Sequence, residues 1–223
     1  MTHRAVIFDL DGTLIDSVDD LTAAVNAYLV PLGYSATDRT ALMRRMGDGA
    51  RELLQRTIIE AGHKAPTAME MTAMAEDFSD FYDGFPHRFT VLFAGIKDAL
   101  DGLRSSGYRL GVCTNKRTDL SRHLLAKVGI LDRFGAIVGG DDPRFLKPNP
   151  APLLGVLQQL DVPPAASIMV GDSVNDILIG QRVGAQTVAA RYGFPRRPEE
   201  LYGADAFIDR PSELPAIIRS LCA

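Results

Sequence analysis

Two hydrophobic rhythms divide the chain. From about Asp16 to Phe85, apolar side chains recur at helical spacing. Leu21, Ala24, Val25, Tyr28, Leu29 and Leu32 form one stripe, with Ser17 as a plausible N-cap and Gly33 as the stop. Ala50, Leu53, Leu54, Thr57, Ile58 and Ala61 form a second, ending at Gly62. Met71, Met74, Ala75, Phe78 and Tyr82 form a third, closed by Gly84 and Pro86. Such stripes are the packing faces of amphipathic helices.

Beyond Phe89 the texture changes to short apolar runs at Leu110–Cys113, Ala136–Val138, Ile168–Val170, Thr187–Ala190 and Ala206–Ile208. Helical patterns separate them at Ile96–Leu103, Leu120–Val128, Leu153–Leu160, Val174–Val183 and Leu214–Leu221. Ala5–Phe8 is one more run of the same kind. This alternation predicts an α/β fold, a doubly wound parallel sheet with helices on both faces. An all-helical segment interrupts it after the first strand. The expected division is a core of residues 1–15 plus 89–223 and a helical insertion of residues 16–88.

Composition narrows the function classes. The chain has 223 residues, 46% hydrophobic and 23% charged, enough to bury a sizeable core. A formal net charge of −4 gives no electrostatic case for nucleic acid or an anionic membrane as partner. No apolar run approaches the roughly 18–20 residues needed to span a bilayer. Met1-Thr2-His3-Arg4 leads directly into the first apolar run, and Cys113 and Cys222 are far apart, so a reduced cytoplasmic setting is expected. His3, His63, His87 and His123 have no ligand spacing, and Cys113 reads as a small buried hydrophobe.

In an open parallel sheet, ligands bind beyond the carboxyl ends of the strands. Asp9-Leu10-Asp11-Gly12-Thr13 follows the first run, and Thr114-Asn115-Lys116 follows Leu110–Cys113. Gly171-Asp172-Ser173-Val174-Asn175-Asp176 follows Ile168–Val170. Acids, a hydroxyl and an amide thus arrive at one edge. Crowded carboxylates repel one another, and Mg²⁺, a hard cation that favours oxygen ligands, would offset that cost. One carboxylate could then attack phosphorus, and a second could move protons. Thr114, Asn115 and one lysine would supply the donors that phosphoryl oxygens need. Lys147, flanked in Phe145-Leu146-Lys147-Pro148-Asn149-Pro150 by stiffening prolines, is the expected lysine. Asp141-Asp142 reads as a solvated turn rather than a second metal site.

Asp9-x-Asp11-Gly12-Thr13, Thr114, Lys147-Pro148 and Gly171-Asp172-(x)3-Asp176 resemble, in order, the four motifs of the haloacid dehalogenase superfamily. The likeness is greatest to the phosphoglycolate phosphatases, in "TLIDSVDDL", "MGDGA", "TNK", "GGDD", "KPNPAPLL" and "GDSVND". It departs at Asp48, where that family often has Asn, and at Ala94, where it often has Pro. The resemblance implies a Rossmann-like core with a small helical cap. It implies Asp9 as nucleophile, and Asp11 as general acid/base with its backbone carbonyl on Mg²⁺. It also implies Asp172 as a metal ligand, Asp176 as one directly or through water, and Thr114 and Lys147 as phosphoryl holders. Asp9 also counts among the expected metal ligands, and Asn115 among the expected phosphate-binding residues.

In Arg44–Arg51 a Gly-flanked loop is expected to face the site when the cap closes. Arg45 or Arg51 would pair there with a substrate carboxylate, and Gly47 would shape the loop. The expected activity is Mg²⁺-dependent hydrolysis of a small phosphate ester, foremost 2-phosphoglycolate, in carbohydrate metabolism, by a monomer or homodimer. The rivals are a sugar-phosphate phosphatase or phosphomutase of the same superfamily, and a non-catalytic binding protein on this scaffold. No G-x-G-x-x-G or G-x-x-x-x-G-K-[ST] occurs, which counts against dinucleotide and P-loop enzymes.

Overall fold

A computed structural model describes residues 4–221; His3 and Cys222 lie outside them. The elements run β1 (Ala5–Phe8), β2 (Ile15–Asp16), α1 (Val18–Leu29), α2 (Arg39–Met43), α3 (Ala50–Glu60) and α4 (Ala68–Asp83). They continue with β3 (Val91–Leu92), α5 (Ile96–Ser105), β4 (Arg109–Cys113), α6 (Thr118–Lys127), β5 (Ala136–Val138) and α7 (Ala151–Gln159). The last are β6 (Ser167–Gly171), α8 (Val174–Val183), β7 (Gln186–Ala190), β8 (Ala206–Ile208) and α9 (Leu214–Leu221). Among the described residues, no helix is long and apolar enough to cross a membrane.

The chain forms two units. One runs through Asp16 and resumes at Val91; the other is Ser17–Thr90. The first holds a six-stranded parallel sheet in the order β5-β4-β1-β6-β7-β8. Its strands are nearly continuous apolar runs because both faces are covered. Ala5 and Ile7 pack with Leu153, Val156 and Leu157 of α7 and Ile179 of α8. Val6 and Phe8 point to the opposite face and are equally buried.

The register decides what meets at the carboxyl edge. Phe8 is level with Val112 of β4 and Val170 of β6. Asp9 therefore emerges between Cys113 and Gly171, with Thr114 and Asp172 one residue further along their chains. The winding of the chain also reverses beside β1, which opens the crevice where ligands of such sheets bind.

Two short elements carry no periodic signal. β2 and β3 pair antiparallel, Ile15 with Leu92 and Asp16 with Val91. Asp16 thus lies in a strand where the chain leaves this unit.

The second unit is all helical. α1 ends at Leu29, and one 3₁₀ turn carries the chain to Gly33 at φ 88°. α4 begins with a capping box in which the Thr67 hydroxyl accepts from Glu70 N and the Glu70 carboxylate accepts from Thr67 N. Asp20, buried on α1, accepts at Oδ2 from Phe89 N (2.9 Å), Thr90 N (2.6 Å) and Thr90 Oγ1 (2.7 Å). That carboxylate fastens the end of the unit to its first helix.

Candidate active site

The segment after β1 turns within a few residues because one carbonyl serves three amides. Leu10 O accepts from Thr13 N (3.3 Å), Leu14 N (2.9 Å) and Ile15 N (3.0 Å). Gly12 sits at φ +84°, and a Cβ there would lie 2.1 Å from Asp172 Oδ2, so any side chain would collide with that carboxylate. The turn and the Asp172 loop are built against each other.

Asp9, Asp172 and Asp176 are all buried and offer carboxylate oxygens within 4.8 Å of one another. Lys147 Nζ lies between two of them, 2.8 Å from Asp9 Oδ1 and 2.7 Å from Asp176 Oδ1. The other Asp176 oxygen accepts from Ser173 N (3.0 Å) and Ser173 Oγ (2.6 Å), which caps α8. Asp172 accepts from Thr13 Oγ1 (3.1 Å) and Phe194 N (2.7 Å). Asp11, half-exposed, has Lys116 Nζ at 3.1 Å from Oδ2.

Electrostatics follow from this crowding. Burial first, and then Asp176, pushes the Asp9 carboxyl from 3.8 up to about 6, although Lys147 pulls it down. Burial and the neighbouring Asp9 and Asp176 charges hold Asp172 well above the usual carboxylate range. Burial alone would lower Lys147, but Asp176 and Asp9 outweigh it and raise it. Three buried carboxylates lie together, and the one ammonium among them pairs with only Asp9 and Asp176, which leaves negative charge uncompensated. A hard all-oxygen donor set with that deficit fits a divalent cation, with Asp9, Asp172 and Asp176 as the groups able to hold it.

The predicted residues do not all have the same environment. Thr114 is buried, and its Oγ1 accepts from Lys116 N (3.3 Å). The Asn115 side-chain amide donates to Lys147 O (3.3 Å) and accepts from Lys147 N (2.7 Å). It therefore positions the lysine loop, whose Lys147–Pro148 peptide is cis. Arg45 is buried and donates to Glu60 Oε2 (2.8 Å) and Thr37 Oγ1 (2.9 Å), which ties the helical unit internally. Arg51 is more exposed, with Glu52 at 3.3 Å. Gly47 takes φ 103°, and Asp48 pairs with Arg56 at 2.6 Å.

Residues outside the expected site also find their roles. Asp141 accepts from Thr118 N and Oγ1, and Asp142 pairs with Arg144, which draws its carboxyl down to about 2. Cys113 is buried, and burial pushes its thiol up to about 12, so it is inert. Sequence reasoning missed Lys116 as the partner of Asp11, although its place three residues past β4 was a usable signal. It missed Tyr192–Phe194 entirely, since no pattern marks that segment.

Residues 6–190 match the haloacid dehalogenase-like hydrolase family. The chain belongs to that family. It is 37% identical over 217 residues to a phosphoglycolate phosphatase of Psychrobacter arcticus, covering 96% of this chain and 91% of that protein. It is 36% identical over 216 residues to a phosphoglycolate phosphatase of Pectobacterium atrosepticum, covering 96% and 92%. The crystal structure of a predicted phosphoglycolate phosphatase from Haemophilus somnus superposes with a TM-score of 0.86 at 28% identity, covering 98% of this chain and 99% of that one. The chain is an enzyme, a phosphoric monoester hydrolase.

Proposed function

We propose that the enzyme hydrolyses 2-phosphoglycolate to glycolate and phosphate, with Mg²⁺, through an aspartyl-phosphate on Asp9. The observation that carries this reading is the buried Asp9–Lys147–Asp176 array beside Asp172. The names of the similar curated proteins suggest the substrate.

An Asp9 oxygen attacks phosphorus while the bond from phosphorus to the glycolate oxygen breaks. Asp11 gives a proton to that departing oxygen, then takes one from the water that attacks the phosphorylated Asp9. Phosphate leaves as the bond to the Asp9 oxygen breaks, which restores the carboxylate. Thr114 and Lys147 hold the phosphoryl oxygens, and Asn115 keeps Lys147 in place. Lys116 keeps Asp11 oriented between its two proton transfers. Asp9, Asp172 and Asp176, with the Asp11 backbone carbonyl, would hold Mg²⁺, which when bound would supply positive charge that offsets these carboxylates and the charge developing on the phosphoryl group. Recognition of the substrate carboxylate falls to Arg51 rather than Arg45, because the Arg45 guanidinium is buried and held by both Glu60 and Thr37, whereas the Arg51 side chain is 42% exposed and meets Glu52 at 3.3 Å. A cytoplasmic setting and a role in carbohydrate metabolism belong to the same proposal.

The test is a panel of small phosphate esters with and without Mg²⁺. The expected result is the highest kcat/KM for 2-phosphoglycolate. A preference for hexose phosphates would favour the sugar-phosphate reading, and no release from any ester would favour a binding protein.

A further inference from the structure

The segment after β7 touches Asp172 at two points and the turn after β1 at a third, and has no role in the chemistry above. Phe194 N donates to Asp172 Oδ2 at 2.7 Å. Tyr192 OH donates to Thr13 O at 2.8 Å, and Thr13 in turn donates through Oγ1 to the other Asp172 oxygen at 3.1 Å. Between them Gly193 passes so close that a Cβ would lie 2.3 Å from Gly12 O and 2.4 Å from Asp172 Cβ. Both Asp172 oxygens are therefore oriented from one short stretch, one directly and one through the nucleophile turn.

That stretch has its own support. The Phe93 ring packs edge-on to Tyr192 (centroids 5.1 Å) and against Phe194 (5.8 Å), while Phe93 N donates to Leu14 O at 3.2 Å. Phe93 directly follows β3, so the return strand and the nucleophile turn meet the same aromatic group.

We propose that Tyr192, Phe194 and Phe93 form a positioning clamp on Asp172, and that the clamp sets how tightly the site holds a divalent cation. This rests on the reading of Asp172 as a metal ligand. Groups that orient a ligating carboxylate without touching the metal govern affinity because they fix the oxygens before binding. The clamp residues are positioning residues: none is asked to touch the substrate.

The test is calorimetric titration of Mg²⁺ into the metal-free enzyme. Tyr192→Phe removes only the hydroxyl, and Phe93→Leu removes the ring against which Tyr192 and Phe194 pack. Each is expected to weaken Mg²⁺ binding by about 3- to 10-fold. At saturating Mg²⁺, kcat is expected to return to within about twofold of wild type, because the reacting groups are intact. Lowered melting temperatures in both variants with wild-type Mg²⁺ affinity would make the clamp merely structural and overturn the proposal. If Tyr192→Phe does not fold, Phe93→Leu decides. Asp172→Asn separates the two layers. Loss of Mg²⁺ binding there with wild-type affinity in both clamp variants refutes the clamp alone; wild-type affinity in Asp172→Asn refutes the ligand reading beneath it.

Discussion

Asp9→Asn is expected to stabilise the metal-free protein at neutral pH while destroying its activity. Asp9 is only 7% exposed, and its carboxyl is raised from 3.8 to about 6. A carboxyl raised on folding contributes stability that is complete below about pH 4 and lost as pH rises through about 6. At 1.36 kcal/mol for each tenfold change in proton affinity, that loss is about 3 kcal/mol. Asp172, raised in the same direction, adds to the trend. The amide keeps the shape and cannot ionise, and Lys147 retains Asp176 at 2.7 Å as its counter-charge. For a chain of this length about 3 kcal/mol corresponds to about 6–12 °C in melting temperature. The assay is thermal unfolding in chelator at pH 7.5 and pH 5. The variant should melt higher at pH 7.5, the gap should narrow at pH 5, and added Mg²⁺ should raise the wild type more than the variant. A variant that melts no higher at pH 7.5, or a gap that widens toward acid, would refute the reasoning.

Other substitutions probe separate parts of the structure. Lys147→Met leaves two buried acids, Asp9 and Asp176, without their ammonium, and denaturant unfolding of the metal-free protein should show a loss of about 3–5 kcal/mol. Asp20→Ala strips a buried acceptor from two amides and a hydroxyl, so a loss of about 2–4 kcal/mol is expected in the same assay. Arg45→Ala should lower the melting temperature with little change in KM, whereas Arg51→Ala should leave the melting temperature unchanged and raise KM for 2-phosphoglycolate about tenfold. The reverse pattern would return substrate recognition to Arg45.

The sheet was legible in the sequence because its strands are buried on both faces and read as unbroken apolar runs between helical stripes. The polar residues that end β1, β4 and β6 stood out for the same reason: each breaks such a run. Elements too short to show a period escaped, as with α2 at five residues and β2 and β3 at two each. Partnerships across long sequence separations escaped too. Nothing local marks Tyr192 as the donor to Thr13, 179 residues away, or Glu60 as the acceptor that occupies Arg45. Asn115 was legible as a polar residue past a strand, but whether its amide faces a ligand or holds the Lys147 loop depends on where that loop folds back.

The central claim is that Asp9, beside a divalent cation, performs the chemistry on 2-phosphoglycolate. Phosphate release from that ester, measured for the wild type and Asp9→Asn with Mg²⁺ and with chelator, tests it most directly. Turnover by the wild type with Mg²⁺ alone, and a loss of about 10³-fold or more in Asp9→Asn, is the predicted result. Wild-type turnover undiminished by chelator, or Asp9→Asn turning over at the wild-type rate, would contradict it.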